Sequence, residues 1–358
     1  MSTIETVAGT PVTAVRPRPV ALLLPGQGAQ RQAMAAGLYR AEPEFTAAVD
    51  EVFESMGDDG ARVRADWLAD RPRVPIDHVT RAQPLLFAID YALGRLVLSW
   101  GIRPAALLGH SMGELVAATL AGVFGLDDAV RLVRDRVRRA DAAPPGGMLA
   151  VSASPAELDD LVGGDLAGGD LAGGDLAGGD VVVGAVNAPR QTILAGRNGP
   201  LEKVAEILRG RGVTCRRVPS LTAFHSPLLE AVNAGSERLV AEVRTSPPDI
   251  PIYSGYTGAL LRPDEVHDPA FWARQMVAPV MFWPALEALL AAGDFLLLEA
   301  GPGADLATLA RRHPAVRGRR SVARTLLPGR PGPAEADRAA VRQAVEALRA
   351  EGHPVRAK

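Results

Sequence analysis

Short apolar runs alternate along this chain with longer stretches in which apolar and polar residues recur at helical spacing. The apolar runs have the length of buried strands, and they fall at residues 21–24, 105–108, 250–253 and 295–299. Helical periodicity is found at residues 84–100, from Asp127 onward and at residues 341–350. Strands separated by helices predict an α/β protein with a parallel sheet, in which ligands bind at the carboxyl ends of the strands.

A different pattern covers residues 147–219. The predicted order there is β-α-β-β-α-β, with elements at residues 148–152, 155–162, 181–186, 191–195, 201–209 and 213–218. This order predicts a ferredoxin-like subdomain, inserted into a large domain made of residues 1–146 and 220–358. A Leu-Ala-Gly-Gly-Asp repeat at residues 163–180 predicts a flexible surface loop. The spacing of its aspartates does not match a calcium loop, so we predict no metal site.

Composition narrows the class of protein. The chain has 358 residues, of which 47% are hydrophobic and 22% charged, as in globular enzymes. A net charge of -2 gives no overall attraction to nucleic acid or to an anionic membrane. We find neither a signal-peptide pattern nor an apolar run of membrane-spanning length, and we expect a cytoplasmic protein. The one cysteine, Cys215, lies in a predicted strand and is assigned no role.

The first candidate for chemistry is Ser111 in the sequence Gly-His-Ser-Met-Gly-Glu, residues 109–114. This stretch joins the predicted strand 105–108 to the helical run 115–121, which is the setting of a nucleophile elbow. The flanking glycines permit a sharp turn that exposes the serine hydroxyl and brings backbone N–H groups near its target carbonyl. The pattern therefore predicts acyl transfer through a serine ester.

A serine nucleophile needs a base, and His225 is the best placed of the six histidines. It directly follows the inserted subdomain, although a structural histidine is the alternative. His110 adjoins Ser111, but neighbours on a tight turn point apart. No acidic residue between Ser111 and His225 ends a clear predicted strand, as the usual hydrolase triad requires, so a backbone carbonyl would orient the imidazole of a Ser-His dyad.

Arg136 is the second candidate. In its predicted helix the apolar stripe runs through Val130, Val133 and Val137, and Arg136 lies roughly 60° from the centre of that stripe. A half-buried guanidinium needs an anion, and its planar fork matches a carboxylate. The pattern alone favours an internal ion pair over a bound carboxylate.

Seven motifs occur in order from about Leu22 to the C-terminus, at residues 25–30 (PGQGAQ), 80–84 (TRAQP), 109–114 (GHSMGE), 146–148 (GGM), 223–226 (AFHS), 274–280 (RQMVAPV) and 299–303 (EAGPG). Together they resemble the malonyl-CoA:acyl-carrier-protein transacylases and the acyltransferase domains of polyketide synthases. The resemblance implies an α/β-hydrolase-like large domain with a ferredoxin-like small one, which agrees with the pattern above.

The resemblance also implies roles for individual residues. Ser111 would be the acylated nucleophile and His225 its general base, oriented by the backbone carbonyl of Gln275. The backbone N–H groups of Gln27 and Met112 would form the oxyanion hole. The substrate-binding residues would be Gln83, which lines the acyl site, Arg136, which holds the malonyl carboxylate, and Phe224 and Thr222.

The implied reaction is ping-pong, with no bound cofactor: malonyl passes from coenzyme A to Ser111 and then to the phosphopantetheine thiol of an acyl carrier protein. Phe224 would fill the space that an α-methyl group needs, whereas Thr222 departs from the family patterns and leaves the extender unit open. No ketosynthase or carrier domain is found here, so we expect a discrete enzyme acting in trans. A basic cluster offers a docking patch for the carrier: Arg311, Arg312, Arg317, Arg319, Arg320 and Arg324.

Three alternatives remain. The same dyad would serve a transferase that moves an assembled acyl or aminoacyl group between carrier proteins. A proofreading hydrolase of stalled carriers is disfavoured by the retained Arg136. A catalytically dead scaffold is disfavoured by the intact Ser111 and His225.

Overall fold

The computed structural model describes residues 17–163 and 180–357. Within these ranges the strands are β1 Val20–Leu24, β2 Ala106–Gly109, β3 Gly147–Val151, β4 Val181–Ala188, β5 Gln191–Gly196, β6 Cys215–Arg217, β7 Ile252–Ser254, β8 Ala259–Leu260, β9 Leu296–Glu299 and β10 Val322–Thr325.

The helices surround the strands and vary from one turn to six. They are α1 Pro43–Ser55, α2 Asp58–Leu68, α3 Val79–Ser99, α4 Met112–Leu120, α5 Leu126–Asp141, α6 Asn198–Gly210, α7 Glu230–Asn233, α8 Ser236–Ala241, α9 Pro263–Val266, α10 Pro269–Arg274, α11 Phe282–Ala292, α12 Asp305–Ala310, α13 Pro314–Arg317 and α14 Ala334–Ala350.

The large domain is built on a six-stranded sheet in the order β10-β9-β1-β2-β7-β8. All its strand pairs are parallel except that of β7 with β8. Along β1, Val20, Leu22 and Leu24 pack into one apolar cluster, while Ala21 and Leu23 pack into a second one on the opposite face. Burial on both faces explains why this strand is an unbroken apolar run rather than an alternating one.

The small domain is a four-stranded antiparallel sheet in the order β4-β5-β3-β6, with α6 between β5 and β6. Counted along the subdomain, this order is 2-3-1-4, the ferredoxin-like arrangement. The predicted fold class, an α/β-hydrolase-like large domain with a ferredoxin-like insertion, is therefore confirmed. Val280 of the large domain bridges to Ala185 at the edge of the small sheet.

Several element boundaries differ from the predictions. Helix α3 begins at Val79, because the carbonyl of His78 accepts the N–H groups of Arg81 and Ala82, so Pro84 lies inside the helix rather than at its start. The predicted helix 155–162 is a single 3₁₀ turn at Pro155–Leu158. The short strand β10 was not predicted, since its sequence VART has no apolar run. Most of the repeat predicted as a flexible loop lies outside the described residues.

No helix in residues 17–163 and 180–357 is long and apolar enough to cross a membrane.

Candidate active site

Ser111 lies at the junction of β2 and α4, at the carboxyl edge of the parallel sheet. Its backbone has φ 54° and ψ −111°, a strained conformation for a residue with a side chain. The turn also requires the two flanking glycines, because a β carbon at Gly113 would overlap the carbonyl oxygen of Leu24 and one at Gly109 would overlap the backbone of Glu114. The local geometry is that of a nucleophile elbow.

His225 is hydrogen-bonded to the serine. Its Nε2 lies 2.7 Å from Ser111 Oγ, and its Nδ1 lies 2.8 Å from the carbonyl oxygen of Ala278. A carbonyl oxygen only accepts, so Nδ1 carries the proton and Nε2 is free to accept the serine proton. The pair therefore has the tautomer that a general base needs.

The carbonyl that orients His225 is that of Ala278, three residues beyond the predicted Gln275. The chain turns between the two, since the N–H groups of Val277 and Ala278 both donate to the carbonyl of Arg274. The side chain of Gln275 instead lies 3.3 Å from a carboxylate oxygen of Glu114. A backbone carbonyl in place of an acid fits the structure: that of Ala278 makes the 2.8 Å contact with Nδ1, and the predicted carbonyl of Gln275 contributes more weakly.

Burial, reinforced by the nearby positive charge of Arg136, lowers the pKa of His225 to about 3. The carbonyls of Ala278 and, more weakly, Gln275 act in the opposite direction on this pKa. The imidazole is therefore neutral at physiological pH and available as a base.

Arg136 lies on the inner face of α5 and is 7% exposed. Its Nε donates to Gln83 Oε1 at 3.1 Å, and its Nη2 donates to Ser111 Oγ at 3.1 Å. Among the described residues it has no carboxylate within ion-pair distance. Burial lowers its pKa to about 10, so it stays charged at neutral pH. The internal ion pair that the pattern favoured is absent from the described part of the chain, which leaves a buried cation beside the nucleophile.

The residues predicted for the oxyanion hole lie on either side of the elbow. Gln27 follows β1, and Met112 is the first residue of α4. The loop after β1 packs closely on the elbow, since a β carbon at Gly26 would lie 3.3 Å from the backbone nitrogen of Met112. In the hydrogen bonds of the described residues, neither backbone N–H has a partner. Both are thus available to an oxyanion.

Phe224 is buried beside both Arg136 and His225. Its ring centre lies 5.6 Å from Arg136 Cζ and 6.3 Å from the ring centre of His225. Thr222 is also buried, and it lines a cleft of about 610 Å³ between the two domains, together with Ser220 and Arg217. The cleft thus borders residues 217–222, the segment that precedes His225.

Three further polar residues at the site, Asn187, Ser254 and Glu114, were given no role by the sequence. His110 Nε2 lies 2.9 Å from Asn187 Oδ1 on strand β4, which turns this imidazole away from Ser111. Ser254 Oγ donates to the buried carboxylate of Glu114 at 2.5 Å, and burial raises the pKa of Glu114 to about 7. A lone polar residue in a strand gives no sequence signal, so neither Asn187 nor Ser254 could have been found.

The arginine cluster at residues 311–324 lies elsewhere. The carbonyls of Arg319 and Arg320 accept hydrogen bonds from Arg18, which precedes β1, and Arg320 pairs with Asp294, which precedes β9. These contacts place this part of the cluster at the amino edge of the sheet, whereas Ser111 lies at the carboxyl edge. Arg319 and Arg320 thus lie at the edge opposite to Ser111, and the docking patch as a whole stays a prediction.

Comparison with known proteins shows the family of this chain. The model of the acyl transferase domain family matches residues 22–324, and the chain belongs to that family. It is 34% identical over 296 residues to a phenolphthiocerol/phthiocerol polyketide synthase protein of Mycobacterium tuberculosis, with 82% of this chain and 19% of the relative covered. The chain thus spans about a fifth of the length of that relative.

Two solved structures extend the comparison. The acyl transferase domain of SpnD, in complex with 2-(pent-4-yn-1-yl)malonyl, has a TM-score of 0.84 at 28% identity, with 97% of this chain and 80% of that chain covered. A malonyl-CoA:acyl carrier protein transacylase from Xanthomonas oryzae pv. oryzae has a TM-score of 0.77 at 26% identity, with 93% and 99% covered. The family and the fold therefore identify an acyltransferase.

Proposed function

We propose that this chain moves a malonyl group, or a closely related carboxylated acyl group, from a coenzyme A thioester through Ser111 to the phosphopantetheine thiol of an acyl carrier protein. The observation that carries the proposal is Arg136, a buried guanidinium whose Nη2 lies 3.1 Å from the nucleophile and which has no carboxylate partner among the described residues. A carboxylate on the acyl group would supply the missing anion in two parallel hydrogen bonds.

The dyad provides the chemistry. His225 Nε2 accepts the proton of Ser111 as the oxygen attacks the thioester carbon, and the N–H groups of Gln27 and Met112 stabilise the oxyanion. The imidazolium then returns the proton to the departing coenzyme A thiolate, which leaves the acyl group esterified to Ser111. In the second half the carrier thiol gives its proton to His225 and attacks the ester carbon. The bond from that carbon to Ser111 Oγ then breaks, and the imidazolium returns the proton to the serine oxygen, which leaves the acyl group on the carrier thiol.

The choice of acyl group depends on the residues above Ser111. Phe224 occupies the space beside Arg136, so an α-substituent on the donor would have to displace it. One methyl group in such a pocket is worth about 1–3 kcal/mol, and a preference for malonyl over methylmalonyl follows. Thr222, two residues before Phe224, is also buried and lines the cleft between the domains.

The carrier protein is proposed to be a separate partner. An acyl carrier protein as the acceptor is supported by the similarity to the Xanthomonas malonyl-CoA:acyl carrier protein transacylase. Transfer between carrier proteins and hydrolysis of stalled carriers are the competing functions, and both would use the same dyad. Neither explains why an unpaired cation is kept beside Ser111.

Intact-mass spectrometry tests the proposal. The protein is exposed briefly to malonyl-CoA, methylmalonyl-CoA or acetyl-CoA, and then mixed with a phosphopantetheinylated carrier protein. We expect a malonyl adduct that is lost in Ser111→Ala and is chased onto the carrier. An adduct from a loaded carrier protein but from none of the three coenzyme A esters would assign carrier-to-carrier transfer instead.

A further inference from the structure

A chain of side-chain hydrogen bonds connects Arg136 to the junction of the two domains. Arg136 Nε donates to Gln83 Oε1 at 3.1 Å, and Gln83 Nε2 donates to Gln27 Oε1 at 2.9 Å. Gln27 Nε2 then donates to Ser220 Oγ at 3.3 Å, and that hydroxyl donates to the carbonyl of Thr222 at 2.8 Å. Arg136, Gln83, Ser220 and Thr222 are all less than 9% exposed.

The arginine determines which atom of each amide donates and which accepts in this series of hydrogen bonds. A guanidinium only donates, so Gln83 must present its oxygen to Arg136 and its amide nitrogen to Gln27. Gln27 must then present its own nitrogen to Ser220. The serine hydroxyl has a single proton, which goes to the Thr222 carbonyl, so its lone pairs remain for Gln27. Reversing either amide would place two donors or two acceptors against each other.

We propose that Ser220 and Gln27 are positioning residues that hold the guanidinium of Arg136 in place for a carboxylated acyl group, and thereby set the preference for that group. The inference rests on the proposed function. Ser220 is the last side chain of this series. Its oxygen accepts from Gln27 and from the N–H of Thr222 at 3.3 Å, and its proton goes to the carbonyl of Thr222. It lies on the segment that leads to His225, so the same segment positions the base and, through Gln27 and Gln83, the carboxylate-binding cation.

Removal of the Ser220 hydroxyl would leave the amide of Gln27 without its acceptor. Gln27 and then Gln83 would be free to rotate, and Arg136 would lose the acceptor that fixes its Nε. An acyl group without a carboxylate forms no ion pair with Arg136. The expected change is therefore a loss of selectivity rather than a uniform loss of rate.

The test compares kcat/KM for malonyl-CoA and acetyl-CoA in the wild type, Ser220→Ala and Ser220→Thr. A buried hydrogen bond is worth about 0.5–1.5 kcal/mol, so the malonyl-to-acetyl ratio should fall about three- to tenfold in Ser220→Ala. It should stay within about twofold in Ser220→Thr, which keeps the hydroxyl. The matched control is Thr192→Val. Thr192 lies in strand β5, away from these hydrogen bonds, and its buried hydroxyl donates to the carbonyl of Ala153 at 2.8 Å. Its ratio should not change.

The outcomes separate this inference from the proposed function. If the wild type prefers malonyl and Arg136→Ala abolishes that preference while Ser220→Ala does not change it, the positioning role is wrong and the proposed function stands. An equal fall for both donors in Ser220→Ala also overturns the positioning role. A wild type without a preference for malonyl overturns both.

Discussion

The two edges of the central sheet both carry arginine, but in different surroundings. At the carboxyl edge Arg136 is buried, donates to Gln83 and Ser111, and has no carboxylate partner among the described residues. At the amino edge Arg18 pairs with Glu351 at 2.6 Å and Arg320 with Asp294 at 3.0 Å, both in contact with solvent.

The difference shows how the role of an arginine follows from its environment. Solvent already stabilises an exposed cation, and an exposed ion pair contributes only about 0–1 kcal/mol. A buried cation without a carboxylate partner is costly, and it is retained where a ligand supplies the anion. We therefore expect the function at the carboxyl edge, where the buried cation lies.

The largest expected effect follows from removing the nucleophile at the carboxyl edge. Ser111→Ala should form no acyl-enzyme and should lower transfer at least about 10³-fold, because no other hydroxyl is bonded to His225 in the described part of the chain. Mass spectrometry after exposure to malonyl-CoA measures the adduct. Ser99→Ala, at the end of α3, is the control and should acylate normally. An adduct that survives in Ser111→Ala would place the nucleophile elsewhere.

The next effect concerns the buried cation itself. Arg136→Ala should lower kcat/KM for malonyl-CoA about 10²-fold, as expected for loss of a charge-assisted double hydrogen bond, and should change acetyl-CoA much less. Arg138→Ala on the same helix is the matched control, since Arg138 is exposed and pairs with Asp135. Steady-state kinetics measure kcat/KM for both donors in each variant. Equal losses for the two donors would mean that Arg136 has only a structural role.

A third prediction uses the pKa of the base. The pKa of His225 is lowered to about 3, first by burial and then by Arg136, so the imidazole stays unprotonated as the pH falls. Acylation of Ser111 by p-nitrophenyl acetate, which has no carboxylate, should therefore not decline between pH 8 and about pH 5. In Arg136→Ala a positive charge is removed, the pKa rises, and the inflection should move upward. A wild-type inflection near the ordinary histidine value of about 6.5 would contradict the lowered pKa.

The sequence predicted those parts of the site that local pattern determines. The glycines around Ser111 predict the elbow because only glycine fits against the backbone of Leu24 and Glu114. The apolar stripe of α5 predicts that Arg136 points inward. The order of strands and helices at residues 147–219 predicts the ferredoxin-like arrangement, although the first of its two predicted helices is only a 3₁₀ turn.

The rest depends on contacts between distant residues. Which carbonyl faces His225 is set by the turn at residues 274–278, and a shift of three residues along that turn leaves no trace in the motif. No carboxylate of the described residues lies within ion-pair distance of Arg136, and this depends on every element that packs around it. The hydrogen bond from Gln27 to Ser220 likewise joins elements that are far apart in the chain. The pattern of apolar and polar residues along one helix does not show which side chains pack against that helix.

The smallest expected effect is at the amino edge. Strands β1, β2, β9 and β10 are four or five residues long, so Arg319 and Arg320 lie about 15 Å from the edge that carries Ser111. The double variant Arg319→Glu/Arg320→Glu should therefore change the KM for the carrier protein less than about twofold.

The same charge reversal at Arg217, which lines the cleft, should raise that KM several-fold at low salt and less at high salt, because carrier proteins are usually acidic. A large, salt-dependent effect at residues 319 and 320 with none at Arg217 would instead place the docking surface on the arginine cluster. The carrier arm would then have to reach Ser111 around the sheet rather than through the cleft.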